Sequence, residues 1–410
     1  MTIPRTRTTR LVVGERERAL PRLKGTGMAS AASRLLPLDG VRALLALWVV
    51  FGHLATMVAC RIPVLTNPAI AVDLFLFLSG FFIAATFASL RARHGHALAT
   101  RYFWIRRVMR IWPLYAVLLT IAYLCIGEFD GLKHAITNLY QPELAGGHHR
   151  GYAAPSMSDA LLHYTMLFGL IDTQATATPL PDWSLSLEFQ FYLLFPLLAL
   201  ALRRHLWLVC AVAICLAFIT PTFLGFYGHP GELAHFRQPS VLTYKLNLFL
   251  VGSLAHHALG SREADANSKW VFFTAMILCL AIANTLTRIG IAVMLFLIFN
   301  PESRLAKVLS LRVLAFFGEI SYTIYLVHLL VMLPVLGLLI QTEWFLGLSA
   351  YPRFVVGSLI VFAVIVPTAW LLYVLVERPG IKLGHWLTTR APRGATSAVM
   401  TQTAEQNAAQ

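Results

Sequence analysis

The chain has 410 residues, of which 58% are hydrophobic and only 13% charged. Water-soluble domains carry about 45–50% apolar and about 25% charged residues, so an ordinary soluble globular protein is excluded. The formal net charge of +14 does not point to nucleic acid, because the basic residues fall in short segments between apolar runs, where they act as topology signals.

Residues 1–37 form a basic segment without an apolar core of its own. It does not have the form of a cleavable signal peptide; it is expected to be cytoplasmic and disordered, with Met28 as an alternative start. The apolar runs that follow predict an all-α polytopic bundle of ten spans at 38–59, 69–88, 111–127, 185–201, 206–224, 241–258, 270–286, 289–300, 314–340 and 354–376. Runs of this length satisfy their own backbone in hydrocarbon as helices. The ~10-residue alternation of a membrane barrel is absent. With both termini cytoplasmic, 25 Lys and Arg lie inside against 7 outside, the bias expected of a multi-pass protein of the inner (plasma) membrane. The stretch 128–182 then faces outward with Tyr140, His148, His149, Tyr152 and His163. It is either a poorly specified loop or the place where an external substrate is read. The five cysteines have no metal-type spacing, so neither a metal site nor a disulfide framework is expected. The membrane domain is expected to end at 379, and 380–410 to be a largely disordered cytoplasmic tail.

Ionisable residues inside spans cost a few kcal/mol each and need a partner or a task. Span one carries Asp39, Arg42 and His53. Arg42 and His53 are eleven residues apart, which places them within about 20° of one helix face and about 16 Å apart along the axis. His53 suits general-base work on a hydroxyl; the bland reading is that Arg42 snorkels to headgroups and His53 bonds a neighbouring helix. Arg106 and Arg110 share a face by i, i+4 spacing with Arg107 beside them. They are either a positive-inside signal or a site for a phosphate-rich, adenine-bearing ligand. Asp73 and Glu188 are intramembrane acids, either of which is placed to pair with Arg42 or to orient His53. Ser79 and Gly80 are expected to permit close helix packing. In span nine Tyr322, Tyr325 and His328 form one stripe, which fits hydrogen-bonded packing or catalysis.

Six segments resemble, in order, the motifs of the polytopic membrane acyltransferases known as acyltransferase family three. They are Leu38-Asp39-Gly40-Val41-Arg42 followed by His53; Val72-Asp73-Leu74-Phe75 with Leu78-Ser79-Gly80-Phe81; and Arg107 to Arg110 with Pro113. The others are Trp183 to Tyr192 around Glu188, Ile320 to His328 around Tyr325, and Glu377-Arg378-Pro379. The resemblance implies an acyl-CoA donor, about ten helices, His53 as the catalytic residue, and Arg42, Arg107 and Arg110 as required basic groups. Phe189 departs from the family pattern, in which a second acid often follows the glutamate.

The expected function is therefore transfer of an acyl, most simply acetyl, group from acyl-CoA to a hydroxyl of a cell-surface or exported glycan or glycolipid. His53 and Glu188 would carry catalysis, Arg42, Arg106, Arg107 and Arg110 would bind the donor, and Asp39, Asp73, Trp183, Tyr325 and His328 are further candidates. No permanently bound cofactor and no nucleic-acid partner are expected; the bilayer is the solvent. The alternatives are a small-molecule acceptor such as a macrolide, or a proton-coupled transporter or flippase. Against transport, the sequence has no pair of interrupted helices in two matching halves.

Overall fold

The computed structural model describes residues 26–142, 151–152, 154–225, 231–260, 266–280 and 283–389. Every regular element among the described residues is helical. Helix α1, Thr26–Met57, absorbs residues 26–37 of the segment expected to be disordered; residues 1–25 lie outside the described part. Helix α2, Pro68–Leu124, opens with Pro68 in its first turn, where a missing N–H costs no hydrogen bond. It breaks at Gly95 (φ 71°, ψ 178°) into two limbs. Only glycine takes this backbone conformation without strain. The segment from Arg101 to Arg110, expected at the cytoplasmic end of span three, is helical and belongs to the second limb.

The described residues of the stretch expected to face outward include α3 at Ile126–Tyr140 and α4 at Met157–Tyr164. Helix α4 is fixed by a capping box in which Ser156 and Asp159 each bond the other's backbone N–H. His148 and His149 lie outside the described residues. Helices α5 (Trp183–Arg204), α6 (Leu206–Leu224), α7 (Leu246–Gly260), α8 (Ala266–Leu280) and α9 (Thr285–Phe299) follow. Two short helices, α10 (Arg304–Leu309) and α11 (Arg312–Glu319), lead to α12 (Ser321–Leu339). Span nine is thus broken at Ile320, where the Ser321 hydroxyl donates to the Gly318 carbonyl. After α13 (Glu343–Leu346) comes α14 (Ala350–Leu372), then a π-helical turn at Tyr373–Glu377 and α15, Arg378–Thr389.

Helix α15 corrects the expectation of disorder from residue 380 onward: Gly380 and Gly384 let it lie directly on Met109 of α2, and Arg106 bonds it. The rest of the tail lies outside the described residues. Among the described residues six helical segments are long and apolar enough to cross a membrane, and Leu246–Gly260, Trp270–Leu280 and Thr285–Phe299 are shorter apolar helices.

Helix α2 is the centre of the bundle, with 72% of its most apolar window buried against 17% for α6. Lipid offers helices no hydrophobic reason to associate, so close backbone approach must do so. At the crossing of α2 and α7 a methyl on Gly80 would overlap the Phe249 carbonyl, and one on Gly252 would overlap that of Phe77.

Candidate active site

The first limb of α2 forms one wall of a narrow slot of about 300 Å3. Its lining runs along α2 from Val72 to Thr86, about 21 Å at 1.5 Å per residue. Opposite walls come from α1 (Asp39, Arg42), the second limb (Arg107, Arg110), α5 (Ser184, Glu188, Tyr192) and α12 (Ser321, Tyr322, Tyr325).

One end is cationic. Arg107 donates to the Thr86 hydroxyl at 2.8 Å and the Phe82 carbonyl at 3.2 Å, and its guanidinium lies 5.6 Å from the Phe103 ring centre and 5.4 Å from that of Tyr192. Arg42 sits 4.0 Å from Asp39, one turn away. Arg110 is held electrostatically by Glu377, Glu188 and Asp39. Glu377, buried at the end of the π turn, accepts from the Thr323 hydroxyl at 2.5 Å and acts on both Arg110 and Arg42.

Glu188 accepts from the Ser79 hydroxyl at 3.0 Å and from the Tyr192 hydroxyl at 2.5 Å, both at Oε1. It faces the guanidiniums and has no bond to His53 among the described residues. Ser79, expected only to ease packing, therefore positions this carboxylate, and the neighbouring Gly80 does the packing.

At the other end the Tyr325 hydroxyl donates to the Pro181 carbonyl at 2.8 Å, so Ser184, 2.6 Å away, must donate to Tyr325. The Tyr325 ring lies 6.0 Å from His328, whose ring stacks on His53 with centres 5.2 Å apart. His328 Nδ1 is 2.6 Å from the Tyr325 carbonyl. A carbonyl only accepts, so Nδ1 bears the proton and, in the neutral ring, Nε2 carries the lone pair. That Nε2 has no hydrogen-bond partner.

The structure thus gathers Arg42, Arg107, Arg110, Glu188, Asp39 and Tyr325 around one slot, with His53 and His328 paired next to Tyr325. Three expected members are elsewhere. Asp73 pairs with Lys245 at 2.8 Å, because it sits near the Pro68 end of α2, away from the guanidiniums; it neither pairs with Arg42 nor orients His53. Arg106 donates to Thr388 at 2.8 Å and does not line the slot. Arg107 and Arg110 are the pair that turns inward, by i, i+3 spacing. Trp183 is part-buried against the core and does not line the slot. Tyr192, Thr86 and Glu377 were not singled out as site residues. Tyr192 carries a signal, since it stands four residues from Glu188 on the same face; Glu377 opens the last of the six motifs.

The sequence pattern described as an acyltransferase domain matches residues 36–374. The acyltransferase MdmB of Streptomyces mycarofaciens is 32% identical over 46% of this chain and 48% of its own. The peptidoglycan O-acetyltransferase OatA of Listeria monocytogenes is 25% identical over 78% of this chain and 54% of its own. The putative peptidoglycan O-acetyltransferase YrhL of Bacillus subtilis is 25% identical over 72% and 48%. The chain spans about half the length of these relatives. No solved structure matches it. With five of the six motifs lining one slot, the sixth placing Glu377 by its arginines, and the pattern matched over most of its length, the chain belongs to acyltransferase family three as a multi-pass membrane protein.

Proposed function

We propose that the chain is an O-acyltransferase that moves an acyl group, acetyl in the simplest case, from acyl-CoA to a hydroxyl of a cell-envelope or exported glycan. The observation that carries this reading is the slot itself, cationic at Arg42, Arg107 and Arg110 and abutting the His53–His328 pair through Tyr325. A donor with phosphates at one end and a reactive thioester at the end of a thin arm has that shape and charge order. The guanidiniums would hold the phosphates with charge-assisted hydrogen bonds. Glu188 and Glu377 keep the cluster from repelling itself before the donor arrives.

His53 would take the proton of the acceptor hydroxyl as its oxygen attacks the thioester carbonyl. Collapse of the tetrahedral intermediate breaks the C–S bond, and the imidazolium returns the proton to the departing thiolate, leaving the ester and free CoA. His328, held by the Tyr325 carbonyl, fixes the His53 ring by stacking.

The Lys and Arg distribution supports ten spans with both termini in the cytoplasm and placement in the plasma membrane. The donor would then enter from the metabolic side and the acceptor from outside. Mass spectrometry of envelope and secreted glycans from cells with and without the chain tests the reading. An alkali-labile acyl increment is expected only with the chain present, and identical glycan profiles would refute the assigned acceptor.

A further inference from the structure

A second cavity, of about 430 Å3, lies between the end of α2, α4, residues 172–177 and the His235–Arg237 segment, and shares no lining residue with the slot. Its size falls within the range of small-molecule sites, about 300–1,000 Å3. Three residues of its lining each bury a side-chain polar atom that makes no hydrogen bond: Tyr123 its hydroxyl, Gln174 its Oε1 and His163 its Nε2. Buried polar atoms are nearly always satisfied, so three open ones in one wall need an explanation.

The Gln174 amide is oriented by its own chemistry. Its Nε2 donates to Asp159 Oδ1 at 2.9 Å, which leaves Oε1, an acceptor only, without a bond. His163 is 1% exposed and is pinned by Phe168, stacked at 4.4 Å, and by the Asp159 carbonyl, 2.9 Å from Nδ1. Burial lowers its pKa from the ordinary imidazole value, although the Asp159 and Gln174 backbones oppose the shift. Asp159 and Asp172 add carboxylate acceptors to the wall, with Arg237 as cationic balance.

We infer that this cavity binds one or more sugar units of the acceptor, a neutral ligand rich in hydroxyl and amide N–H donors. The identification of the ligand as a glycan rests on the acyltransferase reading above. The Asp159 and Asp172 carboxylates accept, Arg237 donates, and the Tyr123, Thr173 and Thr176 hydroxyls do either, the mixture that sugar hydroxyls and amides match; two carboxylates beside one arginine disfavour a strongly anionic ligand. The segment that lines this cavity, 172–177, continues to Pro181 and Ser184, the residues that hold Tyr325 beside His328.

The test uses the full chain in lipid nanodiscs, with the neutral N-acetylglucosamine trimer chitotriose as probe and saturation-transfer NMR as readout. Tyr123→Phe removes only a hydroxyl that bonds nothing in the protein, and is expected to weaken binding about 5–10-fold, the worth of one hydrogen bond. Gln174→Leu should weaken it about as much or more, while Arg106→Ala, at a position that lines neither the cavity nor the slot, should bind chitotriose as the parent does. Absence of binding by the parent protein at millimolar probe, or unchanged binding by both cavity variants, overturns the inference. If binding responds as expected but the parent transfers no acyl group, the cavity stands and the acyltransferase reading falls.

Discussion

At the scale of single residues, the structure separates two roles that the run from Arg106 to Arg110 conflates. Arg107 and Arg110 face the slot, whereas Arg106 ties α2 to Thr388 of α15. Loss of a charge-assisted hydrogen bond costs about 1.5–3 kcal/mol. Arg107→Ala and Arg110→Ala should therefore raise the KM for acetyl-CoA by about 10–100-fold, whereas Arg106→Ala should leave it near the parent value. Steady-state kinetics at varied donor concentration check this, and an equal rise in all three would remove the distinction. The sequence showed that the arginines, Glu188 and the span-nine stripe were unusual. It did not show which would meet, because i, i+3 and i, i+4 neighbours flank one helix line and only the packing of α5 and α15 chooses between them.

Asp182, in the turn before α5, carries a second residue-scale expectation. Burial raises its pKa from 3.8 to about 7, although the Tyr115 and Thr178 hydroxyls favour the ionised form. The folded state holds this proton more tightly than the unfolded chain, so its contribution is full below pH 3.8 and is lost as pH rises towards about 7. Thermal unfolding of the detergent-solubilised protein should show Asp182→Asn gaining stability over the parent between pH 5 and pH 8. A constant difference across that range would contradict the assignment.

At the scale of elements, an all-helical membrane bundle is legible because the bilayer demands long hydrophobic helices. Their interruptions were less so. The break at Ile320 lies inside an apolar run, and hydropathy does not register a backbone turn. Helix α15 reads as a tail because its polar residues hide two glycines that fit Met109. Lys245, on the outer side by the Lys and Arg distribution, also anchors α7 to α2 through Asp73, with side-chain exposures of 17% and 8%. Breaking a buried pair strands the other charge, so Asp73→Ala should cost about 3–5 kcal/mol. Replacing both partners, Asp73→Leu with Lys245→Met, should recover much of that loss. Thermal denaturation of the three proteins distinguishes an anchor from a dispensable surface pair.

At the scale of the whole molecule, α2 is the axis on which the slot is built. Its first limb lines the slot from Val72 to Thr86, its second limb supplies the arginines, and its far end reaches the second cavity through Tyr123. Donor and acceptor would thus approach from different ends of one element and meet at the histidines. The sequence suggested the donor half, since arginines inside apolar runs are conspicuous. For the proposed acceptor half the sequence offers only the stretch 128–182 with His163 as one of two readings, because Tyr123 and Gln174 are ordinary residues until folding leaves their polar atoms without partners. The most direct test of the account is single-turnover transfer from radiolabelled acetyl-CoA to chitotriose by the purified chain, parent against His53→Ala. The account predicts labelled trisaccharide from the parent and a loss of at least about 100-fold in the variant, the lower bound for a general base. Equal transfer by the two proteins would contradict it.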